Sequence, residues 1–178
     1  MGEPATVLTG CLAPIDRTGL EGLIEKGKAD PKAIKTLSCK TVAEGRFRHA
    51  NYIRDLPPYI VDEPPGLLGD DTAPNPSEAS LAALGSCVCV GLHANAVHRG
   101  ITVQKLEIEM EADLNITAVW GTGDQSEKPV GFTDVRMKVI MEADAPQEVI
   151  DELIAHVAKW SPVFNTFSRP VNMEIAAA

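Results

Sequence analysis

Two cysteines, Cys87 and Cys89, stand in the most apolar stretch of the chain, ALGSCVCVGLHANA at residues 83–96. A thiol there can pack as a small hydrophobe, ligate a metal, form half of a disulfide or act as a nucleophile. Helix geometry narrows the choice. Residues at i and i+2 lie about 200° apart, so the two cysteines neither share an ion nor form a disulfide without unwinding the helix. His93 lies about 240° on from Cys87, and His98 returns to its face only after about 16 Å. No metal site is built within this stretch, and neither a metal nor a cofactor is expected. Packing and nucleophilic attack stay open. Apolar burial makes a thiol inert, and a mid-helix thiol gains little from a dipole that falls off within the first turn. A nucleophilic Cys87 therefore needs a cation from outside its helix.

A chain of 178 residues suits one domain, or one domain with an extension. Its formal net charge of −9 argues against nucleic acid or an anionic membrane as partner. With only 4% aromatic residues, aliphatic side chains must fill most of the core. The opening MGEPATVLTG has no basic segment and no long apolar run, so it does not read as a secretory signal. Gly2 and Thr6 match the myristoylation pattern, which is short enough to recur by accident. A cytoplasmic setting with reduced thiols is expected, and Cys11 and Cys39 read as incidental. Ala79 to Val97 carries no Asp, Glu, Lys or Arg, yet Ser80, Ser86, His93, Asn95 and two glycines make it a poor membrane span.

The elements that must position these residues follow from pattern. Residues 1–36 read as an extension, with a helix suggested by Leu20, Leu23 and Ile24, Asp16 as its cap, and Gly27 and Pro31 as breakers. The rest, 37–178, reads as the main domain. SCKTVAEGRFRHANYIR and PYIVDEPP suggest short strands, and PPGLLGDDTAPNP a loop. A long helix is predicted over 75–99: Asn75 caps it, Pro76 starts it, Glu78 completes a capping box and Gly100 stops it. It is apolar nearly all round, so it should be buried on most sides, in part by a partner subunit. Leu106 to Ile116 and Val135 to Met141 alternate apolar with polar as antiparallel strands do. DAPQEVIDELIAHVAKWSP reads as an amphipathic helix capped by Asp144, with a stripe of Val149, Ile150, Leu153, Ile154, Val157 and Trp160. RPVNMEI reads as a last strand. Strands, long helix, strands, helix and strand in that order define an α+β fold.

NPSEASLAALGSCV, residues 75–88, resembles the N-P-x-E…L-x-A-L-x-x-C signature of the OsmC/Ohr family. DEPPGLLGDDTAPNP, VHRGITVQKLEIEMEADL and APQEVIDELIAHVAKWSPV extend the resemblance from about Thr36 to Ile175. It implies an intertwined homodimer of antiparallel sheets around a long central helix, with a second amphipathic helix. It also implies thiol chemistry on organic hydroperoxides, with Cys87 as the attacking cysteine and an arginine from the preceding strands beside it: Arg46 in EGRFRH or Arg54 in NYIRD, with Arg48 third, each of which can equally be a solvated strand residue. Glu78 matches a family position too, but it lies about 180° round the helix and about 13 Å from Cys87, and capping accounts for it.

One departure matters. Active members of the family usually carry a second cysteine in a C-P-V context near the end of the second helix, where this chain has WSPV with Ser161. Serine cannot resolve a sulfenic acid, and Ser161 can cap a turn beginning at Pro162. Three readings follow: a peroxidase using a small hydroperoxide and an external thiol, a non-enzymatic dimer with an apolar ligand pocket, and a dimer in which Cys87 is at most a redox sensor.

Overall fold

The structure is a computed structural model describing residues 12–13, 15–124, 126–127 and 130–177. The Gly2/Thr6 pattern and Cys11 lie outside these residues. The described residues divide into two compact units: Glu21–Ser86 form one, and those before and after form the other.

In the unit of Glu21–Ser86, β1 (Lys40–Gly45), β2 (Arg48–Tyr52) and β3 (Tyr59–Val61) form an antiparallel sheet in chain order. A tight hairpin joins β1 to β2, and Arg46 at its tip has φ 47°. Asp62, just past β3, is fully buried. Its carboxylate accepts from the Thr72 hydroxyl at 2.7 Å, the Thr72 N–H at 3.0 Å and the Glu63 N–H at 2.8 Å. Arg48 donates to the same Thr72 hydroxyl at 2.7 Å. The loop of residues 62–75 is thereby tied to the hairpin. These donors hold Asp62 at about 2, below its ordinary 3.8, led by the Thr72 hydroxyl.

Helix α1 (Arg17–Ala29) starts after Asp16 as expected, but it runs through Gly27 and stops only before Pro31. One glycine costs a helix about 1 kcal/mol and does not end it. None of its residues is buried.

Helix α2 (Pro76–His98) closes at both ends as its sequence predicts. The Asn75 N–H donates to the Glu78 carboxylate at 2.8 Å, and the Glu78 N–H donates to the Asn75 side-chain oxygen at 2.9 Å, a reciprocal capping box. At the other end Gly100 takes φ 76°. Ile101 N–H reaches the Ala96 carbonyl at 2.9 Å and Gly100 N–H the Val97 carbonyl at 3.0 Å, a Schellman stop. Leu84, Val88, Leu92 and Ala96, spaced by four, form the buried stripe. The rest of the helix is less covered than expected of a helix apolar all round, and Val90 is 68% exposed.

In the other unit, β4 (Val103–Leu114) and β5 (Phe132–Ala143) pair antiparallel, Glu111 opposite Arg136 and Glu109 opposite Lys138. Arg136 grips Asp113 at 2.7 and 3.0 Å, and Lys138 reaches Glu109 at 3.2 Å, which marks the wet face. β4 ends at Leu114, short of the Ile116 its alternation suggested. Asn115 accepts from both the N–H and the hydroxyl of Thr117, and this local turn takes the chain out of the strand.

Helix α3 (Gln147–Trp160) presents Ile150, Leu153 and Val157 to the interior. Asp144 is not its cap. Asp144 exchanges hydrogen bonds with Thr102, its N–H to the Thr102 carbonyl and its carboxylate from the Thr102 N–H, and so extends the β4–β5 ladder. Pro146 takes the cap position without a side-chain bond. Trp160, placed in the buried stripe by its spacing, is 65% exposed beside Lys159. Helix α4 (Pro162–Ser168) follows at once, with Ser161 as its cap, as expected. Residues 170–175 form no strand here: Val171, Met173 and Ile175 stand 56%, 92% and 98% exposed, with no strand alongside them among the described residues.

Candidate active site around Cys87

Among the described residues Cys39, Cys87 and Cys89 are free thiols. Cys39 is exposed. Cys89 is half-buried, and burial alone pushes its thiol up from the usual range, which suits a packing residue. Cys87 differs in having a polar partner. The Ser161 hydroxyl donates to its sulfur at 3.2 Å.

Both helices are built to bring these side chains together. Gly91 lies one turn after Cys87 on α2, and Val157 one turn before Ser161 on α3. A Cβ at Gly91 would stand 2.9 and 3.1 Å from the two Val157 methyls. Glycine therefore lets α2 and α3 approach closely at this point. Ser161 itself is pinned on all sides. Its N–H donates to the Val157 carbonyl at 2.8 Å, and its carbonyl accepts from Asn165 N–H at 3.0 Å and the Asn165 side chain at 2.8 Å. Its hydroxyl oxygen accepts from Phe164 N–H at 3.3 Å. The residue is only 5% exposed. Beside it lies an apolar cavity of about 170 Å³ lined by Val88, Met137, Val139, Ile154, Ala158 and Phe164.

The arginines belong to the Glu21–Ser86 unit, and each is described there. Arg46 is ion-paired with Asp70. Arg48 pairs with Glu44 at 2.9 Å as well as with Thr72. Arg54, at φ 54° in the turn between β2 and β3, has no ion-pair or hydrogen-bond partner among the described residues. The structure brings Ser161 to Cys87. Cys87 belongs to the other unit. Glu63 sits in the arginines' unit with one carboxylate oxygen buried and unpartnered. Burial, then Glu78 and Asp62, raise its carboxyl, and His49 opposes them. Among the described residues no group of three His, Cys, Asp or Glu side chains is placed to hold a metal.

Sequence reasoning identified position 161 as the place of the absent second cysteine but gave its serine only a capping role. The contact with Cys87 spans 74 positions, and no local signal announces it. The Asp62–Thr72–Arg48 network was also missed. Its one signal is an aspartate at the end of the apolar strand YIVD.

The long apolar helix, the antiparallel sheets and the second helix meeting it at a cysteine define an OsmC-type α+β fold. Residues 69–176, more than half the chain, match the sequence model of one family, OsmC-like protein. The chain belongs to that family. Solved structures agree at the level of fold. An OsmC-like protein from Mycoplasma pneumoniae superposes with a TM-score of 0.65 at 17% identity, over 76% of this chain and 89% of that one. An OsmC-like protein of unknown function from Vibrio cholerae gives 0.61 at 14% identity, over 75% and 94%. The organic hydroperoxide resistance protein OsmC from Legionella pneumophila gives 0.54 at 19%, over 76% and 91%. No curated protein matches the sequence. Pro76–His98 is long and apolar enough by composition to cross a membrane, and its Leu84, Val88, Leu92 and Ala96 stripe is buried.

Proposed function

We propose that the protein is a thiol peroxidase that reduces organic hydroperoxides at Cys87 and draws its electrons from an external thiol. The carrying observation is the contrast between the two helix thiols: Cys89 meets only burial, whereas Cys87 accepts a hydrogen bond from a fixed hydroxyl. A hydrogen bond to a charged sulfur is stronger than one to a neutral sulfur. The Legionella neighbour, named for hydroperoxide resistance, supports the substrate class.

In this reading the Cys87 thiolate attacks the outer peroxide oxygen. The O–O bond breaks, the departing alkoxide takes a proton and leaves as an alcohol, and the sulfur becomes a sulfenic acid. An external thiol attacks that sulfur, expels water and forms a mixed disulfide. A second external thiol restores Cys87 and leaves as the reductant's disulfide. Ser161 cannot take the place of the first of these thiols, so the cycle uses one protein cysteine and needs no metal or cofactor.

Arg54 is the better candidate for the cation that steadies the negative charge, since the charge of Arg46 is already matched by Asp70. The working form is an intertwined homodimer. The exposed face around Val90 and the alternating Val171, Met173 and Ile175 are the apolar surfaces a second copy would cover. Chemistry that consumes reduced thiols suits a cytoplasmic setting.

The test is the rate of Cys87 oxidation by cumene hydroperoxide against hydrogen peroxide. Fast oxidation, at least about tenfold faster with the organic peroxide, is expected. Rates matching a free thiol for both peroxides would remove the reading. A second reading, binding of a small hydrophobic molecule, is favoured by one observation. A largely apolar cavity of about 450 Å³ opens between the sheet and the first turns of α2, lined by Thr41, His49, Ile53, Tyr59, Val61 and Pro76 among others.

A further inference from the structure

We infer that Ser161 is itself a catalytic residue, the hydrogen-bond donor that meets negative charge on the Cys87 sulfur during the reaction and then retains the sulfenic acid until an external thiol arrives. The second half of this inference rests on the peroxidase reading. The first half does not.

A serine hydroxyl has one proton and two lone pairs. Phe164 N–H is directed at the oxygen of Ser161, which spends a lone pair on capping α4. The proton is left for the sulfur 3.2 Å away. The geometry is fixed beforehand, because the N–H and C=O of Ser161 are both bonded and the residue is almost wholly buried. A hydroxyl held in this way loses little freedom when the sulfur ionises, so it acts as a preorganised donor. Capping alone does not account for the arrangement. Asn or Asp would cap α4 as well, and neither would bring a hydroxyl proton to the thiol.

The same placement explains how a one-cysteine cycle works at a position where a second thiol would close a disulfide. Oxidation adds one oxygen to the Cys87 sulfur. The hydroxyl beside it can donate to that oxygen but cannot displace it, because an alcohol attacking sulfenic sulfur would give an easily hydrolysed ester rather than a disulfide. The sulfenic acid therefore waits for a thiol from outside, and its lifetime falls as the concentration of that thiol rises.

The experiment uses the full chain with Cys89→Ala, so that one helix thiol remains, and follows iodoacetamide alkylation of Cys87 by mass spectrometry from pH 5 to pH 10. Ser161→Ala is expected to move the midpoint of the alkylation profile up by about one pH unit, roughly a tenfold loss of thiolate near neutrality, as removal of a hydrogen bond to a charged group implies. Ser161→Thr keeps both hydroxyl and cap, and should follow the parent. Ser161→Asp keeps the cap but places a carboxylate beside the sulfur, and should move the midpoint further up. It also keeps the test decisive if the alanine variant folds poorly. An unchanged midpoint in Ser161→Asp, or a shift in Ser161→Thr as large as in Ser161→Ala, would overturn the inference. Dimedone trapping after one equivalent of cumene hydroperoxide should show a shorter-lived sulfenic acid in Ser161→Ala than in the parent, and an equal lifetime would overturn the retaining role. If the alkylation midpoint shifts as expected and no variant reacts with organic peroxide, the donor role stands and the peroxidase reading falls.

Discussion

Gly91→Ala should destabilise the protein, although helix propensity alone says the opposite. Alanine in place of glycine in a helix interior is worth about 1 kcal/mol. Here the added methyl would stand 2.9 Å from one Val157 methyl and 3.1 Å from the other. Val157 is 2% exposed, and a β-branched side chain in a helix has essentially one χ1 rotamer. It cannot turn aside, so α3 must move off α2. Overpacking of this kind costs about 1–3 kcal/mol. Set against the propensity gain, the net loss is about 1–2 kcal/mol at the upper end of that range. Val157→Ala alone removes two buried methyls, about 1.6 kcal/mol at roughly 0.8 per carbon. The double variant makes room for the new methyl, so its loss should be smaller than the sum of the single losses by about 1 kcal/mol or more. Urea midpoints at one fixed protein concentration measure all three. A Gly91→Ala midpoint above the parent's, with additive behaviour in the double variant, would refute the reasoning. The same variant should slow Cys87 alkylation, because the helix displacement parts the sulfur from the Ser161 hydroxyl one turn away.

Ser161→Cys should form a disulfide between Cys87 and the introduced thiol within one catalytic turnover, read as a mass loss of two hydrogens, since the side-chain atoms to be joined are already 3.2 Å apart. Two adjacent carboxylates should give opposite pH responses. Asp62 titrates at about 2 instead of 3.8, so its support is complete above about pH 4 and lost as the pH falls through 2; Asp62→Asn should remove that acid limb from melting curves taken between pH 5 and pH 2. Glu63 is raised above its ordinary 4.5, so its ionised form works against the fold as pH rises; Glu63→Gln should raise Tm at pH 7 and leave it nearly unchanged at pH 4. Arg54→Met should slow oxidation of Cys87 by about tenfold for each 1.4 kcal/mol lost, and Arg46→Met should have little effect; if neither changes the rate, the peroxidase reading should be dropped. Removing residues 170–178 should convert the proposed dimer to monomer in sedimentation at micromolar concentration, and an intact truncated dimer would exclude the tail from the interface.

Much of the fold was legible because its causes are local. The capping box at Asn75 and Glu78, the Gly100 stop and the alternation of β4 and β5 each involve residues a few positions apart or a simple period. Where competing partners are distant, the same rules misled. Asp144 has the right type and place to cap α3, but Thr102 offered both a donor and an acceptor, and no pattern near residue 144 shows that. The alternation at 170–175 states which side chains would share a face, not whether a strand lies alongside in the same chain. Trp160 continues the spacing of the α3 stripe, yet it falls where the helix ends and the interior stops. At the site, Cys87 was found from its neighbours, whereas the hydroxyl that touches it lies on another helix and became visible only in three dimensions.

Because α2 is locked by side chains before its first turn and by a left-handed glycine after its last, its register cannot slide. Cys87 stands twelve residues from Asn75 and thirteen from Gly100, so the direction in which its sulfur points is set by residue count. One residue inserted between Glu78 and Cys87 would turn the thiol by about 100° relative to the capping box, and with it the buried face of Val88, Leu92 and Ala96. Variation along this helix is therefore confined to exchange of one side chain for another, because a change of length would move the thiol and the buried face of the helix together.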